Sequence, residues 1–248
     1  MNAKAVPKKA PAAKAPSKAA SKVATRPAVK SDDMAPEADK RRYADQAYDA
    51  IESMIATLVL KPGAPIVEAD LIERTGLGRT PTREALMRLV ANGLIVQLPR
   101  RGLLVSDILL AEHLDLLEAR RALERLIATS SARRATPPQR EALVQCAQDM
   151  LDAAKRGDLA AYMQADQALD RVNHAACRNP FAVAAVIPMV IQCRRFWYAY
   201  QHQGDIGEGA RCHLLLARAI AAGKGEEAAA ASDALLDYLR QFAQQVIE

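Results

Sequence analysis

Apolar residues recur at helical spacing over most of this chain. Within residues 42–58, Ala47, Ile51, Met54 and Ile55 share one face, and Lys61-Pro62-Gly63 ends that helix. A second helix is predicted over Glu68–Arg74, closed by Gly76, and a third from the Gly78-Arg79-Thr80-Pro81 run to Asn92, stopped by Gly93. The third carries the core stripe Ala85, Leu86, Leu89 and Val90. Two short apolar runs follow, Leu94-Ile95-Val96 and Leu103-Leu104-Val105, with the basic turn Pro99-Arg100-Arg101-Gly102 between them. Three short helices and a hairpin make a winged helix-turn-helix. From about Ile108 onward the pattern is helical, with breaks at Thr136-Pro137-Pro138, Gly157-Asp158, Asn179-Pro180, Gly204-Asp205 and Gly223-Lys224-Gly225. Pro188 is expected to kink its helix. The predicted fold is mainly α: an N-terminal winged helix-turn-helix followed by an all-α antiparallel bundle of about six helices.

Composition divides the chain once more. Of 248 residues half are hydrophobic and few are aromatic. Residues 1–30 carry seven Lys, one Arg and no acid, so +8; with a net charge of +5, residues 31–248 are left with −3. Residues 1–40 are a low-complexity Ala/Lys/Pro/Ser mixture that cannot bury enough apolar surface to offset its ordering entropy, and read as disordered. Such a tail is either solubilising or a non-specific clamp on an acidic polymer. The expected divisions are 1–40 for the tail, 41–107 for the winged helix-turn-helix and 108–248 for the bundle. Four cysteines without CxxC spacing point to a reducing cytoplasm and away from a disulfide framework or zinc knuckle. No run is long and apolar enough to span a bilayer, and the N-terminus has no apolar signal-peptide core.

The start of the third helix concentrates polar chemistry. Thr80 fits an N-cap and Pro81 the first helical position, which leaves Arg79, Thr82 and Arg83 at the free tip. A helix N-terminus attracts anions, and an arginine fork can grip guanine O6 and N7 or a phosphate. At the hairpin, Gly102 lets backbone approach closely while Arg100 and Arg101 reach a groove or phosphates. The plain alternative is an arginine-rich solvated helix start with no partner.

In the bundle, three helices turn polar groups inward. Arg120 lies in the stripe Leu109, Leu116, Leu123, Ile127; Asp166 and Asp170 run beside Tyr162, Met163 and Leu169; His213 lies in the stripe Ile206, Ala210, Ala217, Ile220. Buried charge is costly unless paired or liganded, and two aspartates four apart repel, so a positive group should sit between them: Arg120, a metal, or both. Residues 194–200, RRFWYAY, hold four of the ten aromatics and read either as core or dimer packing or as an aromatic pocket wall that includes Trp197.

Residues 42–106, with the run PGAPIVEADLIERTGLGRTPTREALMRLVANGLIVQLPRRGLLV, resemble the GntR family of bacterial transcription regulators. The resemblance implies that Arg79, Thr80 and Arg83 stand at base- and phosphate-contact positions and Arg101 and Gly102 at the wing tip. Some members have an arginine where this chain has Ala69, so no contact is carried over there. Residues 108–248, through LLEARRALERL, DQALDRVNHAACRNP and HLLLARAIAAGKGEEAAAAS, resemble the FCD effector-binding domain of the FadR type. Many members of that family bind a divalent metal through one Asp and three His. Asp166 and His213 match two of those positions, Asp170 and Leu235 stand at the other two, and His174 is a possible substitute. The resemblance implies a divalent metal, Zn or similar, or a metal-free salt-bridge network around Arg120. Arg120 matches the ligand-facing position, where it would hold a carboxylate.

These readings make the chain a cytoplasmic, nucleoid-associated homodimer that binds a double-stranded DNA operator, a short palindrome, and is released by a small organic acid. It is expected to be a repressor and not an enzyme, and no membrane partner is expected. The rivals are an activator or an architectural protein without sensing, and a metal-dependent hydrolase built on Asp166, Asp170 and His213.

Overall fold

The computed structural model describes residues 37–108 and 110–247. The expected disorder of the tail falls largely outside the described residues, as does Leu109. The element order is α1 (Glu37–Ala56), α2 (Glu68–Thr75), α3 (Arg79–Ala91), β1 (Ile95–Leu98), β2 (Gly102–Val105), α4 (His113–Arg134), α5 (Pro137–Arg156), α6 (Leu159–Cys177), α7 (Pro180–Tyr200), a 3-10 turn (Gln201–Gln203), α8 (Ile206–Ala221) and α9 (Gly225–Ile247). The fold is mainly α, a helix-turn-helix with a small wing followed by a helical bundle.

The N-terminal half is built around one apolar cluster. Ala47, Ile51 and Ile55 of α1 meet Leu71 of α2, Ala85, Leu86 and Leu89 of α3, and Ile95 and Val105 of the hairpin. Gly76 ends α2 in the left-handed region (φ 67°), where its N–H caps the Ile72 carbonyl. The hairpin is antiparallel, with Ile95 opposite Val105 and Leu98 opposite Gly102. The α1–α2 loop adds a third edge: Gly63 and Ile66 donate to the Val105 and Leu103 carbonyls, and Val105 donates to Ala64. The wing is thereby stitched to the loop that precedes α2.

In the bundle, the sequence signals act as caps. Thr136 and Gln139 form a reciprocal capping box on α5. Asp158, Asn179 and Asp205 accept backbone N–H groups at the starts of α6, α7 and α8. α4 packs on α6, α7 and α9, and α5 on α6 and α8. Pro188 lies inside an unbroken α7.

Three local expectations need correction. α1 begins before residue 42, at Glu37. Helix does not resume at Ile108; α4 starts at His113, because the Ser106 and Asp107 carbonyls accept from the Arg195 side chain instead of from a following helical turn. α3 is capped at Gly78 and not at Thr80. Both the Thr82 N–H (3.2 Å) and its Oγ1 (2.9 Å) close on the Gly78 carbonyl, which pulls the helix start to Arg79. Pro81 stays in the first turn, where its missing N–H costs nothing.

α7 belongs to both halves. Ile191 is buried in the N-terminal cluster, while Phe196 and Trp197 are buried in the bundle core.

Candidate functional site

Two groups of polar residues stand out, one in solvent and one buried. The first is the tip of α3 with the hairpin turn. Arg79, Thr80 and Arg83 are exposed, as are Arg100, Arg101 and Gly102. Arg83 makes a loose contact with Glu68 (3.4 Å) and keeps 66% of its side chain exposed. Among the described residues, Arg79, Arg100 and Arg101 have no acidic partner within ion-pair distance. Farther along the helix, Arg88 is bound to Asp45 at 2.7 Å and lies 4.3 Å above the Tyr48 ring, where it serves packing. The hairpin tip is bent by two left-handed residues, Arg100 (φ 64°) and Gly102 (φ 75°). A Cβ at Gly102 would meet nothing within 4 Å, so that tip is open to an approaching surface. Thr82 does not belong to this group. It is fully buried, its hydroxyl is spent on Gly78, and the 100° step of the helix turns it inward between Arg79 and Arg83.

The second group lines a small cavity of about 40 Å³ in the bundle. Arg120 comes from α4, Tyr162, Asp166 and Asp170 from α6, Cys193, Arg194 and Trp197 from α7, His213 from α8 and Tyr238 from α9. The structure thus brings together Arg120, Asp166, Asp170, His213 and Trp197. The positive group between the aspartates is Arg194. Its Nε donates to Asp166 Oδ2 (2.7 Å), its Nη2 to Asp170 Oδ2 (2.6 Å) and its Nη1 to Glu52 Oε1 of α1 (2.8 Å). Glu52 is 2% exposed and also accepts from Gln167 Nε2. Arg120 is occupied elsewhere, its Nε and Nη2 donating to Glu124 Oε1 at 3.1 and 3.0 Å. His213 donates Nδ1–H to the Gly209 carbonyl (2.7 Å), and its Nε2 lies 3.4 Å from Asp166 Oδ1.

Burial and charge set the titration of this cluster. Burial alone would lower the Arg194 pKa; Glu52, Asp166 and Asp170 reverse that and hold it well above the ordinary arginine value. Burial also works to raise Asp166, but Arg194 and His213 overrule it and keep its carboxyl below the usual range. Asp170 is pushed up, first by burial and then by the Asp166 charge. Burial raises Glu52 as well, against the pull of Arg194.

Aromatic residues fill the remaining wall. The Trp197 indole N–H donates to Tyr238 Oη (3.3 Å), and its ring stacks on Tyr162 with centroids 5.2 Å apart. Its neighbour Phe196 instead enters the core, flat against His113 at 3.7 Å. Of the segment's two readings, Trp197 fits the pocket wall and Phe196 the core.

The donor set does not fit the metal implied by the family resemblance. The facing oxygens of Asp166 and Asp170 are taken by Arg194, and Leu235 is buried and has no donor atom. His174 lines an adjoining cavity of about 310 Å³ between α1, α6 and α7, which shares Asp170, Val190 and Arg194 with the first and is also lined by Glu52. Among the described residues, no three His, Cys, Asp or Glu converge as a metal-ligand group.

Sequence reasoning missed Arg194, Glu52, Glu124 and Arg195. Two of these had a signal: Arg194-Arg195 is a double charge inside an otherwise apolar helix face, and such charges need partners. Arg195 is fully buried and donates to the Ser106 hydroxyl (3.1 Å) and to the Ser106 and Asp107 carbonyls, on the linker between wing and α4.

Residues 43–105 match the model of the gntR family of bacterial regulatory proteins, and residues 115–238, half of the chain, match the FCD domain. An HTH-type transcriptional regulator in the TAR-I ttuE-ttuC' intergenic region of Agrobacterium vitis is 34% identical over 124 residues, 49% of this chain and 72% of that protein. The HTH-type transcriptional repressor RspR of Escherichia coli (strain K12) is 31% identical over 121 residues; the match spans 49% of this chain and only about half (53%) of RspR. The solved structure of E. coli McbR/YncC is similar with a TM-score of 0.70 at 18% identity, over 83% of this chain and 99% of that one, a likeness of fold. These families and relatives are transcriptional regulators, not enzymes. No helix among the described residues is long and apolar enough to cross a membrane.

Proposed function

Because the chain belongs to the GntR family of bacterial regulatory proteins and carries an FCD domain, we propose that this transcriptional regulator is a cytoplasmic, ligand-responsive repressor that reads a short palindrome as a homodimer. The observation that carries the DNA-reading assignment is the set of arginines left in solvent. Arg79 and Arg83 at the N-terminus of α3, with Thr80 between them, enter the major groove, and Arg100 and Arg101 reach phosphates or the adjacent groove. The homodimer is supported by apolar positions that face solvent on packed helices: Ala119, Ala122 and Leu126 on α4, and Phe181, Ala184 and Ala185 on α7.

The bundle cavity is the effector site. The guanidiniums that line it, Arg120 and Arg194, are already met by four carboxylates: Asp166 and Asp170 in its lining, and Glu124 and Glu52, which bond them without lining it. A small organic acid therefore binds with uptake of a proton, and it takes Arg120 from Glu124 as it enters. The two groups raised above their ordinary range, Asp170 and Glu52, supply the proton site, so affinity for an acid rises as pH falls. The signal leaves through α7: Arg194 grips α1 at Glu52, and Arg195 grips the linker at Ser106 and Asp107. A ligand that binds one arrangement of these contacts better than another shifts the placement of the DNA-reading helices.

The test is selection of bound fragments from genomic DNA by the full-length protein, followed by a thermal-shift screen of organic acids at neutral and mildly acidic pH. The proposal expects an enriched palindrome whose occupancy drops with the same acids that raise Tm. Uniform binding to all fragments supports the architectural rival instead.

A further inference from the structure

Three carboxylates surround one buried guanidinium. Asp166 and Asp170 lie one turn apart on α6, with side chains 15% and 16% exposed, and Glu52 arrives from α1 with 3% of its side chain exposed. Acids gathered in this way repel one another and lose hydration, so they require a strong cation at their centre. A divalent ion with oxygen ligands is one solution. Here the guanidinium of Arg194 supplies another: each of its three nitrogens faces a different acid, Nε to Asp166, Nη1 to Glu52 and Nη2 to Asp170, at 2.6–2.8 Å. The planar fork provides fixed directions, as a coordination sphere would, and it keeps its charge at any working pH. Two imidazoles flank this arrangement: His213 anchors its Nδ1 on the Gly209 carbonyl and brings its Nε2 to 3.4 Å from Asp166 Oδ1, and His174 lines the adjoining cavity with Glu52 and Asp170.

We infer that Arg194 is a tethered cation that stands in for a metal ion in this pocket, with Asp166, Asp170 and Glu52 as its ligands. The pocket then folds and operates without divalent metal. Its cation cannot exchange with solvent. One of the three ligands comes from α1, which packs on α3, so the same charge that organises the pocket ties it to the DNA-reading half. The inference rests on the preceding reading only in calling the pocket a sensor; the cation assignment itself uses no DNA.

The experiment is metal analysis and calorimetric titration with Zn²⁺ and Mn²⁺ on full-length wild type, Arg194→Ala and Arg194→Lys, with Tm measured with and without EDTA. Wild type is expected to hold no stoichiometric metal and to show a Tm indifferent to chelator. Arg194→Ala leaves Asp166, Asp170, Glu52 and the His213 Nε2 around a vacated cation position, and is expected to gain saturable binding of about one ion per chain with a metal-dependent rise in Tm. The added change Asp166→Asn should abolish that gain. Arg194→Lys keeps the charge and should stay metal-free. A wild type that carries about one metal ion per chain, with a Tm lowered by EDTA, overturns the inference, and so does a folded Arg194→Ala that ignores both metals. If Arg194→Ala folds only when metal is added, the inference is supported. If it folds under no condition, a metal-free, chelator-indifferent wild type together with a metal-free Arg194→Lys carries it. DNA selection is scored separately, so failure of the regulator reading leaves a different trace from failure of the tethered cation.

Discussion

Arg79 and Arg101 stand in solvent with no acid at ion-pair distance among the described residues, while Arg194 carries the same charge walled in by Glu52, Asp166 and Asp170. The difference lies in what water does for each. An exposed guanidinium is hydrated, contributes little to folding and keeps its fork available for a phosphate or a base edge. A buried one has lost its hydration and holds its place only because every arm has an acid to meet. One residue type is thus left available where it is unpaired and serves architecture where it is saturated.

The sharpest way to break this contrast is to remove each charge in turn. Arg194→Met should destabilise the fold by about 3–5 kcal/mol in denaturant unfolding, because it leaves buried carboxylates uncompensated, whereas Arg79→Ala should stay within about 0.5 kcal/mol of wild type. Equal effects would erase the distinction. The next largest effect is on pH dependence inside the bundle. His113, buried against Phe196 and near Arg120, has its pKa lowered from 6.5 to about 4, chiefly by burial. A base with a depressed pKa in the fold adds stability in full above 6.5, and that stability is lost as pH falls toward 4, in all about 3 kcal/mol. His113→Leu should flatten this part of the stability–pH curve, and a curve of unchanged slope would locate the pH dependence elsewhere. On the solvent side, Arg83→Ala should weaken binding to the selected operator by about 1–3 kcal/mol and relax sequence preference at one position, with Tm unaltered. The two threonines of the α3 tip sharpen the comparison within three residues. Thr82→Val should cost about 0.5–1.5 kcal/mol of stability without altering sequence preference, whereas Thr80→Ala should leave stability in place and weaken DNA binding. The smallest effect is expected at the wing, where Arg101→Ala should reduce the slope of log affinity against log salt by roughly one contact's worth, about 0.9, with little change in preference.

The winged helix-turn-helix and the six bundle helices were legible because their signals are local. Gly76, Thr136-Pro137, Gly157-Asp158, Asn179-Pro180 and Gly204-Asp205 act within a turn of where they stand. The inward polar residues Arg120, Asp166, Asp170 and His213 were also legible, because each interrupts an apolar stripe. Their partners were not. That Asp166 meets Arg194, 28 residues on, and that Arg194 meets Glu52, 142 residues back, depends on how α1, α6 and α7 pack, which no periodicity encodes. Charge balance announced a missing cation and offered Arg120, a metal, or both; Arg194, which fills the place, was not among them. Thr82 was misplaced for a related reason. Counting polar residues at a helix tip does not reveal that one of them, midway between two outward arginines, turns inward to bond the Gly78 carbonyl.

α7 gives Ile191 to the N-terminal apolar cluster and Phe196 to the bundle's, and it spends Arg194 and Arg195 on α1 and on the linker. A helix shared between two cores leaves no seam at which one half can melt while the other stays intact. Heating the protein should therefore produce one calorimetric peak whose van't Hoff and measured enthalpies agree, and the proposed division into a reader and a sensor would then be one of task and not of folding unit.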